Sequence, residues 1–148
     1  MRVETTHSVA ETEALAAELG RAMRGSEVVL LTGELGSGKT AFVRGLARGI
    51  GVDADEVASP TFVLLTSHAG RLTLHHADLY RLRGDGDDQE LGLEELPGPA
   101  GVLAVEWAER LSYVPWPQRL RVALRHTGDE TRRVEIEEER EWRSGWVS

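Results

Sequence analysis

Gly33-Glu34-Leu35-Gly36-Ser37-Gly38-Lys39-Thr40 is the stretch whose reading decides the fold. It holds the only lysine of the 148-residue chain; the other cationic side chains, histidine aside, are all arginine. A compact ammonium on a flexible stem acts as a point charge between oxygens, a role for which the planar guanidinium fork has the wrong shape. The spacing Gly-x-x-x-x-Gly-Lys-Thr is that of a P-loop. Its glycines permit backbone conformations closed to other residues, so that N–H groups turn inward upon an anion.

The flanks suit that reading. Glu27-Val28-Val29-Leu30-Leu31-Thr32 is an apolar run, the signature of a strand buried in a parallel sheet. Past Thr40, the residues Phe42, Val43, Leu46, Ala47 and Ile50 recur at helical spacing, and Gly49 and Gly51 close the segment. A strand, a glycine loop and a helix in this order bring free N–H groups and the positive end of a helix dipole to one point. Gly33, Leu35, Gly36, Ser37, Gly38, Lys39 and Thr40 are therefore the expected nucleotide contacts. Thr40 would place its hydroxyl where Mg²⁺ bridges the β- and γ-phosphates.

Length and composition bound the remaining choices. The chain suits one domain, expected over 1–136, followed by a charged tail over 137–148 that carries Trp142 and Trp146. With no cysteine there is no disulfide, thiol nucleophile or zinc–thiolate site, and a cytoplasmic enzyme is the natural expectation. No long apolar run or basic leader points to a membrane. A net charge of −8 argues against the chain gripping a nucleic acid by itself, and leaves docking on another protein open.

Further along, Ser8-Val9-Ala10-Glu11 has capping-box spacing at the head of an amphipathic helix that Gly25 closes. Ser59-Pro60-Thr61-Phe62 breaks the chain before an expected strand, Val63–Thr66. That rigid loop exposes Ser59 and Thr61 either as a γ-phosphate-sensing segment or simply as a strand entry. Arg71–Asp78 and Gly101–Trp107 read as strands that deliver Asp78 and Glu106 at their carboxyl ends, where ligands bind in open α/β sheets. His75 and His76 are adjacent on a strand and face opposite ways, which argues for structural histidines over a metal pair. Arg83–Pro99, with an expected short helix at Glu90–Leu96, is an acidic segment that is either a solvated loop or nucleotide-sensitive. Leu120–Leu124 and Arg132–Ile136 alternate around Thr127-Gly128-Asp129-Glu130 as an antiparallel hairpin.

The ordered set of Gly33–Thr40, Ser59-Pro60-Thr61-Phe62, His76-Ala77-Asp78-Leu79-Tyr80-Arg81, Glu90–Glu95 and Val105-Glu106-Trp107 resembles the TsaE (YjeE) family. The resemblance covers nearly all of the chain up to the hairpin. It implies a three-layer α/β/α P-loop NTPase-like domain with a mostly parallel sheet and a C-terminal antiparallel hairpin. It implies an ATPase of tRNA threonylcarbamoyladenosine synthesis, weak alone and controlled by the partners TsaB and TsaD, meeting tRNA only through that complex. Carried onto this chain, Lys39 holds phosphates, Thr40 and Glu106 hold Mg²⁺, and Asp78 assists the attacking water or couples hydrolysis to the complex. Val9 and Gly128 fall near the base of ATP; Ser59, Thr61, Asp78, Tyr80 and Arg81 form the switch or partner-coupling set. The roles of Asp78 and Glu106 remain exchangeable at this stage.

Two other readings stand beside this one. A small-molecule or nucleoside kinase shares the P-loop and the α/β core, but 148 residues leave little room for a lid and an acceptor pocket. A nucleotide-occupied adaptor without catalysis is the other. A GTPase is excluded in its usual form, because a guanine-reading Asn/Thr-Lys-x-Asp needs a second lysine.

Overall fold

The computed structural model describes residues 1–57, 64–82 and 87–140. Seven strands form one sheet: β1 (Arg2–Thr6), β2 (Glu27–Thr32), β3 (Leu65–His68), β4 (Thr73–Asp78), β5 (Gly101–Glu106), β6 (Gln118–His126) and β7 (Arg132–Arg140). Among the described residues two α-helices accompany them, α1 (Val9–Ala22) and α2 (Lys39–Gly49). The spatial order is β1-β7-β6-β2-β5-β4-β3.

The centre of the sheet is parallel, since β2 pairs with β5 and β6, and β4 with β5. Its margins are antiparallel: β1 on β7, β7 on β6, and β3 on β4. Parallel and antiparallel pairings are thus equal in number, and the expected mostly parallel sheet is corrected to a mixed one. The physical reason lies at the edges. Arg2-Val3-Glu4-Thr5-Thr6 contains one apolar residue, too few to show the alternation that marks a strand, yet its register against β7 makes it one. The β6–β7 hairpin forms as its alternation predicts, but β7 runs past Ile136 to Arg140, so 137–140 belong to the sheet.

Local chemistry starts and stops the helices. Ser8 caps α1 by accepting from the Glu11 N–H at 3.1 Å, while the Glu11 carboxylate accepts from the His7 N–H, one residue before the cap. The acidic segment forms no single helix at Glu90–Leu96. Two short 3-10 turns, Asp87–Leu91 and Leu93–Glu95, flank Gly92, whose φ of 68° breaks the helical run. The strand expected at Val63–Thr66 is observed as β3, shifted toward His68; Val63 lies outside the described residues.

Both α-helices pack on one face. Leu15, Ala16, Phe42, Val43, Leu46 and Ile50 meet Val29, Leu31, Leu74 and Val122 there. The helices approach so closely that a Cβ on Gly45 would stand 2.2 Å from the Glu13 carbonyl oxygen. On the other face, Val28, Leu30, Leu103 and Val105 are covered by Leu79, Leu93, Ala108 and Trp116. Among the described residues that cover consists of 3-10 turns and extended segments, where a third layer of α-helix was expected. Val29, Leu30 and Leu31 are fully buried, and each such side chain contributes about 1.5–3 kcal/mol on removal from water. These two apolar clusters, one on each face of the sheet, hold the carboxyl ends of β2, β4 and β5 in line.

Candidate functional site

Glu106 on β5 pairs in register with Leu31 on β2 and with Asp78 on β4. The chain leaving β2 turns through Gly33–Gly38 into α2 beside these two acids. Gly33 (φ 147°) leaves no room for a side chain: a Cβ would lie 2.5 Å from the Leu124 carbonyl oxygen and 2.6 Å from Ser37 Oγ. Gly38 (φ 105°) is the residue before α2, and the Phe42 N–H donates to its carbonyl. The N–H groups of the first helical turn consequently face the loop with no carbonyl of their own helix to receive them.

Lys39 is buried at the base of this loop. Its Nζ donates to the carbonyls of Gly33 (2.6 Å) and Glu34 (2.8 Å) and to Ser37 Oγ (3.3 Å). The ammonium also lies 4.1 Å from the centre of the Trp107 ring, a cation–π contact of about 1–2 kcal/mol. Burial lowers the Lys39 pKa, and Glu106, Glu109, Asp78 and Glu34 oppose that shift. Trp107 reaches this position through a left-handed backbone (φ 59°, ψ 44°), uncommon for a bulky residue. Tyr80 stands 4.9 Å from the Trp107 ring, and the Arg110 guanidinium approaches both rings at 5.5 and 5.7 Å.

The two acids have different surroundings. Thr40 Oγ1 donates to Glu106 at 2.9 Å (Oε1) and 3.2 Å (Oε2), and His76 Nε2 lies 2.6 Å from Glu106 Oε2. Asp78 Oδ1 accepts the Tyr80 N–H at 3.0 Å. Burial raises the Asp78 pKa; the Tyr80 N–H pulls it back, and the nearby Glu106 carboxylate raises it further. A hydroxyl and two carboxylates are hard oxygen donors of the kind Mg²⁺ takes alongside phosphates and waters. No group of three or more His, Cys, Asp or Glu able to hold a metal occurs among the described residues.

Val9, Leu35, Gly36, Gly38, Lys39, Thr40, Leu64, Asp78, Tyr80, Arg81, Glu106, Trp107 and Arg132 share one cleft of about 440 Å³. Val9, Leu35 and Tyr80 are its exposed apolar members. Ser37 is fully buried behind the loop. Arg81 is exposed. Gly128 is not a wall of the cleft. It sits in the β6–β7 turn, where its carbonyl is 3.5 Å from Arg132 Nη1. Ser59 and Thr61 lie outside the described residues.

Sequence reasoning assigned no role to Trp107 or Arg132. Arg132 joins the hairpin to the glycine loop: its Nε donates to the Ser37 carbonyl (3.0 Å), Nη2 to Gly36 (3.2 Å), and Nη1 to Asp129 and Thr131 (3.1 and 3.0 Å). An arginine among several in a hairpin carries no local signal of that task. Trp107 directly follows Glu106, but its contact with Lys39 depends on the backbone turn after β5.

The family model for the threonylcarbamoyl adenosine biosynthesis protein TsaE matches residues 6–134. Over 131 residues the chain is 37% identical to the tRNA threonylcarbamoyladenosine biosynthesis protein TsaE of Treponema pallidum (strain Nichols), covering 88% of this chain and 96% of that protein. It is 36% identical over 125 residues to the protein of the same name from Bacillus subtilis (strain 168), covering 84% and 77% respectively. In three dimensions it is similar to the crystal structure of Bacillus subtilis YdiB, with a TM-score of 0.73 and 28% identity over 95% of this chain and 86% of that one. No helix among the described residues is long and apolar enough to cross a membrane.

Proposed function

The chain belongs to the TsaE family of threonylcarbamoyl adenosine biosynthesis proteins, and from that membership and the cleft we propose that it is a Mg²⁺-dependent ATPase of a P-loop NTPase-like fold serving tRNA threonylcarbamoyladenosine modification in the cytoplasm. The observation that carries this reading is the convergence of Lys39, Thr40, Asp78 and Glu106 on one cleft at the carboxyl edge of the sheet. The reading gives each residue a task. The glycine loop and the first turn of α2 offer N–H groups to phosphate oxygens. Lys39 adds a positive charge, exchanging its carbonyl partners for phosphate oxygens. Thr40 and Glu106 are the protein ligands for Mg²⁺, which when bound neutralises charge on the phosphates. Asp78 Oδ1 is held by Tyr80, so Oδ2 is the atom that orients an attacking water and accepts its proton.

The base end of ATP falls to the side of the cleft where Val9 and Leu35 are exposed, with the Gly128 turn behind Arg132. Ser59 and Thr61, together with Asp78, Tyr80 and Arg81, form the switch through which nucleotide state governs docking on TsaB and TsaD. The acidic chain reaches tRNA only through that complex. The test is phosphate release from ATP with and without a TsaB–TsaD pair, alongside a pull-down of that pair by the nucleotide-free and ATP-loaded protein. The reading expects Mg²⁺-dependent, partner-stimulated release and nucleotide-dependent capture, weakened by Arg81→Ala. Transfer of phosphate to a small acceptor would favour a kinase instead. Tight binding of free tRNA by the isolated chain would remove the partner-mediated part.

A further inference from the structure

His76 is fully buried in β4, two residues before Asp78 and so on the same face of the strand. Its imidazole has one polar partner among the described residues: Nε2 lies 2.6 Å from Glu106 Oε2, while Nδ1 has none. This asymmetry selects the tautomer. A proton on Nδ1 would leave a buried N–H unsatisfied and set the Nε2 lone pair against a carboxylate oxygen; a proton on Nε2 leaves only a bare lone pair in the core. The Nε2–H therefore donates to Glu106.

Glu106 is thereby gripped from two sides. His76 takes Oε2 from within the core, and Thr40 donates chiefly to Oε1 from the cleft side. A glutamate at the end of a strand otherwise has freedom about its last torsions, and fixing one oxygen fixes the direction of the other. Outer hydrogen-bond partners of this kind orient carboxylate ligands of metals in many proteins. We propose that His76 is a positioning residue that aims Glu106 Oε1 at the divalent cation beside Thr40. The proposal rests on the Mg²⁺-dependent ATPase reading and extends it to a residue that touches neither nucleotide nor metal.

The test measures binding of ADP by calorimetry across a Mg²⁺ series for the wild type, His76→Gln and His76→Leu. Glutamine can place an amide N–H where Nε2–H stands; leucine fills the space without a donor. The Mg²⁺ needed for half-maximal tightening should rise about tenfold or more in the leucine variant and stay within about threefold of wild type in the glutamine variant. Nitrogen NMR of the wild-type imidazole supplies a second readout that needs neither nucleotide nor a substituted core: Nε2 should carry the proton and Nδ1 should be bare. A leucine variant with an unchanged Mg²⁺ requirement, or a proton on Nδ1, overturns the proposal while leaving the ATPase reading in place. Wild-type ADP binding indifferent to Mg²⁺ overturns the ATPase reading, and the proposal with it. If the leucine variant does not fold, the imidazole spectrum and the glutamine variant decide.

Discussion

Asp78 and Glu106 are register partners at the ends of adjacent parallel strands, yet each is bound by different groups. Glu106 accepts from Thr40 and lies against His76; Asp78 accepts from the backbone N–H of Tyr80. Thr40 occupies the position in the loop pattern that serves the cation, so its link to Glu106 supports the proposal that Glu106 holds the metal while Asp78 serves water or coupling.

That division predicts separable losses. Glu106→Ala should raise the Mg²⁺ concentration required for tight ATP binding by about tenfold or more. Asp78→Ala should leave that requirement nearly unchanged and lower hydrolysis, because a water-orienting group acts mainly in the transition state. A magnesium titration giving the reverse pattern would exchange the two roles.

Asp78 also predicts a pH dependence of stability. Its carboxyl is pushed above the ordinary value of 3.8, chiefly by burial. The folded state then binds the proton more tightly than the unfolded one, so this group's contribution falls as pH rises from 3.8 to the raised value. Above that window the cost of ionising Asp78 is fully present. Asp78→Asn keeps an oxygen for the Tyr80 N–H and removes the charge. It should melt no lower than wild type at neutral pH, with any advantage shrinking as pH falls through the window. Melting curves in which the variant is least favoured at neutral pH would contradict the assignment.

Lys39 is held by two carbonyls, the Ser37 hydroxyl and an aromatic face, with no carboxylate among the described residues in hydrogen-bonding contact, and those partners can be exchanged for phosphate oxygens. Lys39→Ala should abolish hydrolysis and weaken ATP binding while the domain stays folded. Lys39→Arg should lose most activity as well, since a planar guanidinium fork does not replace a compact point charge in this loop. Near wild-type hydrolysis by the arginine variant would defeat this account.

Arg132 ties the hairpin to the loop through carbonyls of Gly36 and Ser37. Removing a charged donor from such contacts costs about 1.5–3 kcal/mol, reduced here because the guanidinium is partly exposed. Arg132→Ala should lower the melting temperature modestly and weaken nucleotide affinity, with Arg132→Lys restoring only part of either. Calorimetry showing wild-type affinity in the alanine variant would mean that the tie does not shape the loop.

Much of the fold was legible because its signals are local. The apolar run Glu27–Thr32, the three- and four-residue spacing after Thr40, and the cap at Ser8 each carry their own physics, and the corresponding elements form. The strands bearing Asp78 and Glu106 were readable for the same reason, and the structure brings both acids to Lys39 and Thr40. The two 3-10 turns around Gly92 were less legible, because helical spacing persists over a segment that one glycine conformation divides.

By itself the sequence determined the strand–loop–helix unit, the one lysine that its loop requires, and the two acids at strand ends, since all of these depend on spacing along the chain. Tertiary structure alone decided that β1 and β3 close the sheet antiparallel, that Trp107 lies over Lys39, that Arg132 reaches across to Gly36 and Ser37, and that His76 stands behind Glu106. Those contacts join residues distant in sequence, and their geometry is set by register and close packing, which local pattern does not encode.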